Sequence, residues 1–430
     1  MIVPSSIQEA VDEVRMMLEP THPKLAEMFA LCFPNTLETT TEILDDGTTY
    51  VFTGDIPAMW LRDSSAQVRP YLPFAKDDPE VQRVIEGLIK RQVMYIGIDP
   101  YANAFNREPN GLCWHEDETE MNDWIWERKY EIDSLCYPLQ LAYLYWQATG
   151  RESIFDAQFE GALTTVRDLW RREQRHPERS TYRFIRRMEG REEIVLHNDG
   201  LGSPVNRTGM TWSGFRPSDD ACTFGYLIPS NAFAVVVLRQ MEEVAREVYG
   251  DERLAASLDD LAREIDYGIQ TYGIVDHPKY GRMYAYETDG FGNYNLMDDA
   301  NVPSLLSLPY LGYTTVDDPV YQNTRRFVLS EDNPYYAEGE HARGVGSPHT
   351  PAGTVWPMSL VMQALTSDDE EEIEAILEML MRTDADAGYM HESFDPDDPQ
   401  TFTREWFAWA NSLFGQLIWQ LMEETELLLN

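Results

Sequence analysis

Apolar residues recur every three to four positions through much of the chain, the spacing of one helix face. In SSIQEAVDEVRMML (5–18), Ile7, Val11, Val14 and Leu18 form one stripe behind Ser5 or Ser6, either of which suits an N-cap. LAEMFALCF (25–33) extends the pattern. TTTEILDDGTTYVFTG (39–54) then breaks it, with β-branched runs on both sides of Asp46-Gly47 that predict a short β-hairpin. Helical spacing returns over 63–75, 78–97, 131–150, 153–174, 230–250 and 251–273, and again over 319–330, 354–367, 370–384 and 406–429. Gly150, Gly250 and Gly273 close three of these runs, as helix C-caps prefer. Very apolar helices such as SNAFAVVVL (230–238) alternate with amphipathic ones such as DERLAASLDDLAREI (251–265). That alternation predicts two concentric layers of helices. No Pro/Ser-rich linker and no repeat divides the chain, so 1–430 reads as one domain. Long loops rich in Trp, Asp, Arg, His and Gly join the helices, and a site belongs there.

Composition narrows the class. The 430 residues are 43% hydrophobic, enough for a sizeable core, and no run of 18 apolar residues would span a bilayer. The first residues carry neither a basic segment nor an unbroken apolar one, which argues against a secretory signal. Cys32, Cys113, Cys136 and Cys222 form no CxxC pair and read as free thiols, so a cytoplasmic location is expected. Charge stands out: 34 basic against 74 acidic residues leave a net −40. Lys24, Lys76, Lys90, Lys129 and Lys279 are the only lysines. Such a field repels nucleic acid and anionic membranes. Carboxylate excess with lysine depletion also predicts a halophilic source, the alternative being an ordinary acidic cytosolic enzyme.

Several chemistries are excluded by absence. The sequence has no P-loop, no GxGxxG after a strand, no HExxH, no GxSxG and no EF-hand loop. Its eight histidines never fall at ligand spacing, so neither a metal nor a cofactor is expected. Carboxylates, aromatics and turn residues instead concentrate in 53–71, 122–138, 209–231 and 388–411, with His349 and Trp356 in the Gly/Pro loop 344–357. A sugar site needs this inventory: aromatic faces for the ring, Asp, Arg and Asn for hydroxyls, and two carboxyl groups as acid and base. Taken singly, each feature has a plainer reading. Trp124 and Trp126 fit a core, Arg62 and Asp63 an ion pair, and Asp219-Asp220 a helix N-terminus. Their convergence favours a site.

These blocks also carry a resemblance. TGDIPAMWLRDSSAQVRPYL, DPYANAFN, WIWERKYEIDSLCYPLQLAY, GMTWSGFRPSDDA, YLIPSNAFAVVVL, MDDANVPSLLSLPYLGY and GYMHESFDPDDP…REWFAWAN closely resemble glycoside hydrolase family 125, in order, from about residue 40 to 415. The resemblance implies an all-α fold, an (α/α)6 barrel with a short hairpin and long site-forming loops. It implies a metal-independent exo-α-1,6-mannosidase acting with inversion on an α-mannoside. The base is then Glu392 in MHESF, and the acid is Asp219 or Asp220 in FRPSDDA, with Asp219 preferred. The acid must hold its proton near neutral pH, so burial or the adjacent Asp should raise it. Inversion needs the two carboxyl groups roughly 6.5–9.5 Å apart to admit a water.

For the terminal mannose, Arg62 and Asp63 are expected to clamp hydroxyls, followed by Glu127, Arg128 and His349, with Trp60 or Trp126 as ring platforms. His391 either orients the base or caps a loop. The stretches 107–123 and 186–200 depart from the family pattern and are expected to shape the region beyond the terminal sugar. Rival readings are a glucoamylase-like or trehalase-like barrel, an N-acyl sugar epimerase, and a carbohydrate-binding protein without catalysis. Too few histidines in the site loops disfavour the epimerase, and a pure binder has no use for Glu392 together with the Asp pair.

Overall fold

The computed structural model describes residues 1–187, 196–424 and 427–428. Its long helices begin in two different ways. Pro79–Ile98, Ala157–Glu173, Glu252–Tyr272, Pro319–Val328 and Glu370–Arg382 each start behind an aspartate (78, 156, 251, 318 and 369) whose carboxylate accepts two first-turn N–H groups. Each such cap stabilises its helix by about 1 kcal/mol. By contrast Leu61–Val68, Ile132–Thr149, Ile228–Glu247 and Pro357–Leu365 follow extended residues (Trp60, Glu131, Leu227 and Trp356) and have no side-chain cap.

The two kinds are the two layers. Ile228–Glu247 is buried along most of its length, whereas Glu252–Tyr272 buries a stripe that includes Leu254, Leu258, Leu261, Ile265 and Ile269. Neighbouring uncapped helices pack side by side: Leu61–Val68 on Ile132–Thr149, that on Ile228–Glu247, and that on the short Leu308–Leu311. Pro357–Leu365 packs on Ala408–Glu424, which closes on Leu61–Val68. Aspartate-capped helices lie outside them, and Pro23–Cys32 backs Ala408–Glu424. This is an (α/α)6 barrel, as expected.

Local differences have local causes. Ser5–Leu18 follows Pro4 with no side-chain cap, so neither Ser5 nor Ser6 caps it. The Ser6 hydroxyl instead donates to Asp78 at 2.6 Å, tying this helix to the cap of its neighbour. The helix expected over 63–75 is α-helical over Leu61–Val68 and then 3₁₀ over Arg69–Phe74, where Pro70 and Pro73 lack the N–H an α-helix needs. Gly150 is a left-handed cap at φ 69°, but Gly273 stays at φ −96°; a side chain there would collide with Ile228. The hairpin forms as expected, Thr41–Ile43 against Thr49–Val51, turning through Gly47 at φ 80°. The last helix is Ala408–Glu424, and residues 425, 426, 429 and 430 lie outside those described.

Two small antiparallel ladders matter for the site. Met59–Trp60, Ala104–Phe105 and Ile125–Glu127 form one, and Ser393–Phe394 with Phe402–Thr403 forms the other. Among the described residues no helix is long and apolar enough to cross a membrane.

Candidate active site

The starts of three inner helices line one pocket. Trp60, Arg62 and Asp63 come from the start of Leu61–Val68, Trp356 from the residue before Pro357–Leu365, and Phe407 and Trp409 from the start of Ala408–Glu424. Free N–H groups and the positive ends of helix dipoles therefore face the region where carboxylates collect.

Arg62 is the hub, 3% exposed. Its Nη1 reaches Glu131 at 2.5 Å and Asp133 at 3.1 Å, its Nη2 reaches Asp219 at 3.2 Å, and its Nε lies 3.3 Å from Asp63. Asn103 Nδ2 donates toward Asp219, Glu131 and Glu127 at 3.2–3.4 Å. The Thr53 hydroxyl donates a short hydrogen bond to Asp63.

Of the adjacent aspartates, Asp219 lines the pocket. Its φ of 67° is left-handed, a conformation Asp tolerates better than most residues, and the loop is closed by Asp219 N–H on the Arg216 carbonyl and Arg216 N–H on the Asp220 carbonyl. Asp220 turns away: it accepts from Ser218 at 3.0 Å and lies 3.6 Å from His349 Nδ1. Glu392, which also lines the pocket, precedes the Ser393–Phe394 strand, and its N–H donates to the Thr403 carbonyl. That pairing brings up Arg404, also left-handed at φ 45°, with Nη1 3.5 Å from Glu392.

Electrostatics set these carboxyls apart. Burial alone would raise Asp219, but Lys129, Arg62 and a hydrogen bond from Glu131 outweigh it and hold the group well below the usual carboxylate range. Burial lifts Glu131 far above its ordinary value despite Arg62, and Asp219 and Asp133 add to the lift. Burial also raises Asp133 and Asp63, with Arg62 opposing. Burial would lower His349, yet Asp220, then Asp219 and Glu392, raise it. The expectation of a lifted acid at Asp219 thus meets a different arrangement: Glu131, Asp133 and Asp63 are lifted by burial, while at Asp219 two cations, Lys129 and Arg62, outweigh it.

The pocket unites Trp60, Arg62, Asp63, Asp219, His349 and Glu392 of the expected residues. Besides Asp220, four others lie elsewhere. Trp126 packs with Trp60, Ala58 and Ala104 behind the wall. Glu127 serves Arg186 at 2.7 Å and Lys129 at 3.4 Å, and Arg128 binds Asp99 at 2.7 Å. His391 is fully buried, bonded to the Glu405 carbonyl and stacked on Phe402 at 4.0 Å. It braces the loop beside Glu392. Arg404, Phe407 and Trp409 went unnamed although they fall within 388–411, and Asn301 falls within MDDANVPSLL. Glu131 and Asp133 had one usable signal, acidic residues opening a very apolar helix. Of the two stretches expected to shape the outer region, 107–123 is clipped inward by Arg186 on Asp117 at 2.6 Å, and 188–195 lies outside the described residues. Among the described residues no group of three or more His, Cys, Asp or Glu is arranged to hold a metal ion.

A pocket on an (α/α)6 barrel, with separate acidic groups and an aromatic wall, is the arrangement of a glycoside hydrolase. The family model for metal-independent alpha-mannosidase (GH125) matches residues 22–419, and the chain belongs to that family. It is similar to a Streptococcus pneumoniae metal-independent alpha-mannosidase, whose structure is a non-productive complex with alpha-1,6-mannobiose: 49% identity, TM-score 0.95, covering 99% of this chain and 100% of that one. It is 42% identical to the meiotically up-regulated gene 157 protein of Schizosaccharomyces pombe, over 97% of this chain and 86% of that protein. A bacterial glucoamylase complexed with acarbose matches at TM-score 0.62 and 12% identity, over 96% of this chain and 57% of that one, a likeness of fold alone.

Proposed function

We propose that this α-mannosidase removes non-reducing terminal α-1,6-linked mannose with inversion, Asp219 acting as general acid and Glu392 as general base. The observation that carries the reading is the pocket itself: Asp219 and Glu392 both line it, held by separate cations, Arg62 and Arg404. The linkage is supported by the 49% identical relative, whose structure holds alpha-1,6-mannobiose. Asp219 is preferred to Asp220 because its carboxyl reaches the pocket while that of Asp220 is engaged by Ser218 and His349.

In this reading the glycosidic oxygen takes a proton from Asp219 as the C1–O bond breaks. A water on the opposite face attacks C1 and gives a proton to Glu392. Arg404 places a cation beside the carboxylate that receives it. Arg62 and Asp63 meet the sugar hydroxyls, and Trp60, Trp356 and Trp409 supply apolar wall for ring C–H faces. The wall suits an exo mode in which one sugar enters. The enzyme acts as a single domain in the cytoplasm, a placement supported by its four unpaired cysteines.

Proton NMR of an α-1,6-mannobiose digest tests this. β-Mannose as the first released anomer is expected. α-Mannose would mean retention and overturn the mechanism, and absence of cleavage would overturn the substrate.

A further inference from the structure

Glu131 belongs to none of the roles above, yet it shares both Arg62 and Asn103 with the acid. It is 1% exposed, ending the segment before the inner helix Ile132–Thr149. One carboxyl oxygen, Oε2, takes Arg62 Nη1 at 2.5 Å and the Ser134 hydroxyl at 2.7 Å. The other, Oε1, faces Asn103 Nδ2 at 3.4 Å, and the same nitrogen lies 3.3 Å from Asp219 Oδ1. Arg62 and Asn103 thus hold the two carboxyl groups side by side, Arg62 reaching Glu131 through Nη1 and Asp219 through Nη2. Two buried carboxylates so placed repel and offer each other no donor, and one proton shared between them relieves that.

Local charge agrees with this count. Facing the pair are Arg62 and Asp63 from the helix Leu61–Val68, Asp133 from the helix that follows Glu131, Lys129 from the segment before it, and His349 from the 344–357 loop. Asn103 and Ser134 are neutral. Arg62 already contacts four carboxyl groups, so full ionisation of all of them would leave buried negative charge unmatched.

We propose that Glu131 is a positioning residue that stores the catalytic proton for Asp219, the pair titrating as one unit. This rests on the reading of Asp219 as general acid. With the site empty the proton resides on Glu131. When a mannoside enters, the Glu131 O–H proton passes to Asp219, and Glu131 becomes a carboxylate held by Arg62 and Ser134. Asp219 then gives that proton to the leaving oxygen as the C1–O bond breaks. The proton lost by the attacking water goes to Glu392 and then to solvent, and solvent returns one proton to the pair. No other reactant is required. The arrangement answers a specific difficulty: Asp219 beside Lys129 and Arg62 would otherwise be an empty acid at neutral pH.

The test is the pH profile of kcat/KM for full-length wild type, Glu131→Gln and Glu131→Asp, on α-1,6-mannobiose and on α-mannosyl fluoride, whose leaving group needs no proton. Gln keeps a hydrogen-bonding side chain but cannot store a proton. Glu131→Gln is expected to move the alkaline limb for mannobiose down by at least one pH unit and to lose at least tenfold at neutral pH. Its loss on the fluoride should be at least tenfold smaller. Glu131→Asp should shift the limb less. An unmoved limb, or equal losses on both substrates, would overturn the proposal by assigning Glu131 a structural role. Infrared spectroscopy of the wild type at neutral pH adds an independent arm. A protonated-carboxyl band that shifts when Asp219 is changed to Asn is expected, and its absence would overturn the shared proton even if the Gln variant failed to fold. Failure of the wild type to cleave mannobiose would reject the substrate reading and leave the infrared result to decide the pair.

Discussion

Arg404 stands across a two-strand hairpin from Glu392, its guanidinium 3.5 Å from the carboxylate and its backbone in a left-handed conformation. The Ser393–Thr403 pairing, with Glu392 N–H on the Thr403 carbonyl, fixes both residues at once. Strain at a non-glycine residue survives only where surrounding contacts enforce it. Arg404 also packs over Phe407, centroid distance 5.6 Å, and approaches Asp55 at 3.4 Å. Arg404→Ala should therefore lower kcat by about tenfold to a hundredfold through loss of the cation and of carboxylate aim. Steady-state kinetics on α-1,6-mannobiose check this, and a loss confined to KM would assign Arg404 to binding alone.

Substitutions at the two aspartates should separate sharply. Asp219→Asn and Glu392→Gln are each expected to cost about 10²–10⁴ in kcat. Asp220→Asn keeps an acceptor for Ser218 and removes the charge facing His349, and should cost at least tenfold less than Asp219→Asn. The reverse order in the measured rates would move the acid to Asp220.

His349 gives a pH dependence of stability. Its folded value is raised by Asp220, Asp219 and Glu392 over the opposing effect of burial. A raised cation stabilises the fold fully below its unfolded value, about 6.5, and that contribution fades as pH rises through the folded value. The side chain is 38% exposed, so solvent screens the effect and it should be small. We expect wild type to exceed His349→Gln in Tm at about pH 5.5 and the difference to vanish by about pH 9. A constant difference across that range would mean that packing, not charge, stabilises the loop.

The net charge of −40 makes salt a stabiliser. Raising ionic strength from about 0.1 M to 1 M shortens the Debye length from roughly 10 Å to 3 Å, which screens repulsion among surface carboxylates. The urea midpoint should rise over this range of potassium chloride. A flat response would remove the argument for a halophilic composition.

Trp114 is 50% exposed on the 107–123 loop, its ring centroid 6.2 Å from Trp126, which packs against pocket-lining Trp60 and Ile56. We expect this exposed indole to stack on a sugar beyond the terminal mannose. Trp114→Ala should raise KM for α-1,6-linked trimannoside by about threefold to tenfold and leave α-mannosyl fluoride hydrolysis within about twofold. Equal changes on both substrates would place Trp114 in the wall of the pocket itself.

Helices and the hairpin were legible in the chain because their signals are local. The Ile7, Val11, Val14 and Leu18 stripe, the Asp46-Gly47 turn and the contrast between SNAFAVVVL and DERLAASLDD each lie within about two turns of helix or one hairpin. The segments bearing the site were legible for the same reason, since carboxylates, tryptophans and turn residues crowd within them. Direction was not. Asp219 and Asp220 are equivalent in composition, and the positive φ that aims one of them at the pocket comes from a loop closed by Arg216. Glu127, Arg128 and His391 sit beside site residues yet bond to Arg186, Asp99 and the Glu405 carbonyl. Glu131 joins the acid only because Arg62 gathers carboxyls 69 and 157 positions away in the chain. Helical periodicity repeats every 3.6 residues and carries no record of such distances. Only the closing of the inner ring, which brings the helix starts to one end of the barrel, decides which charges meet.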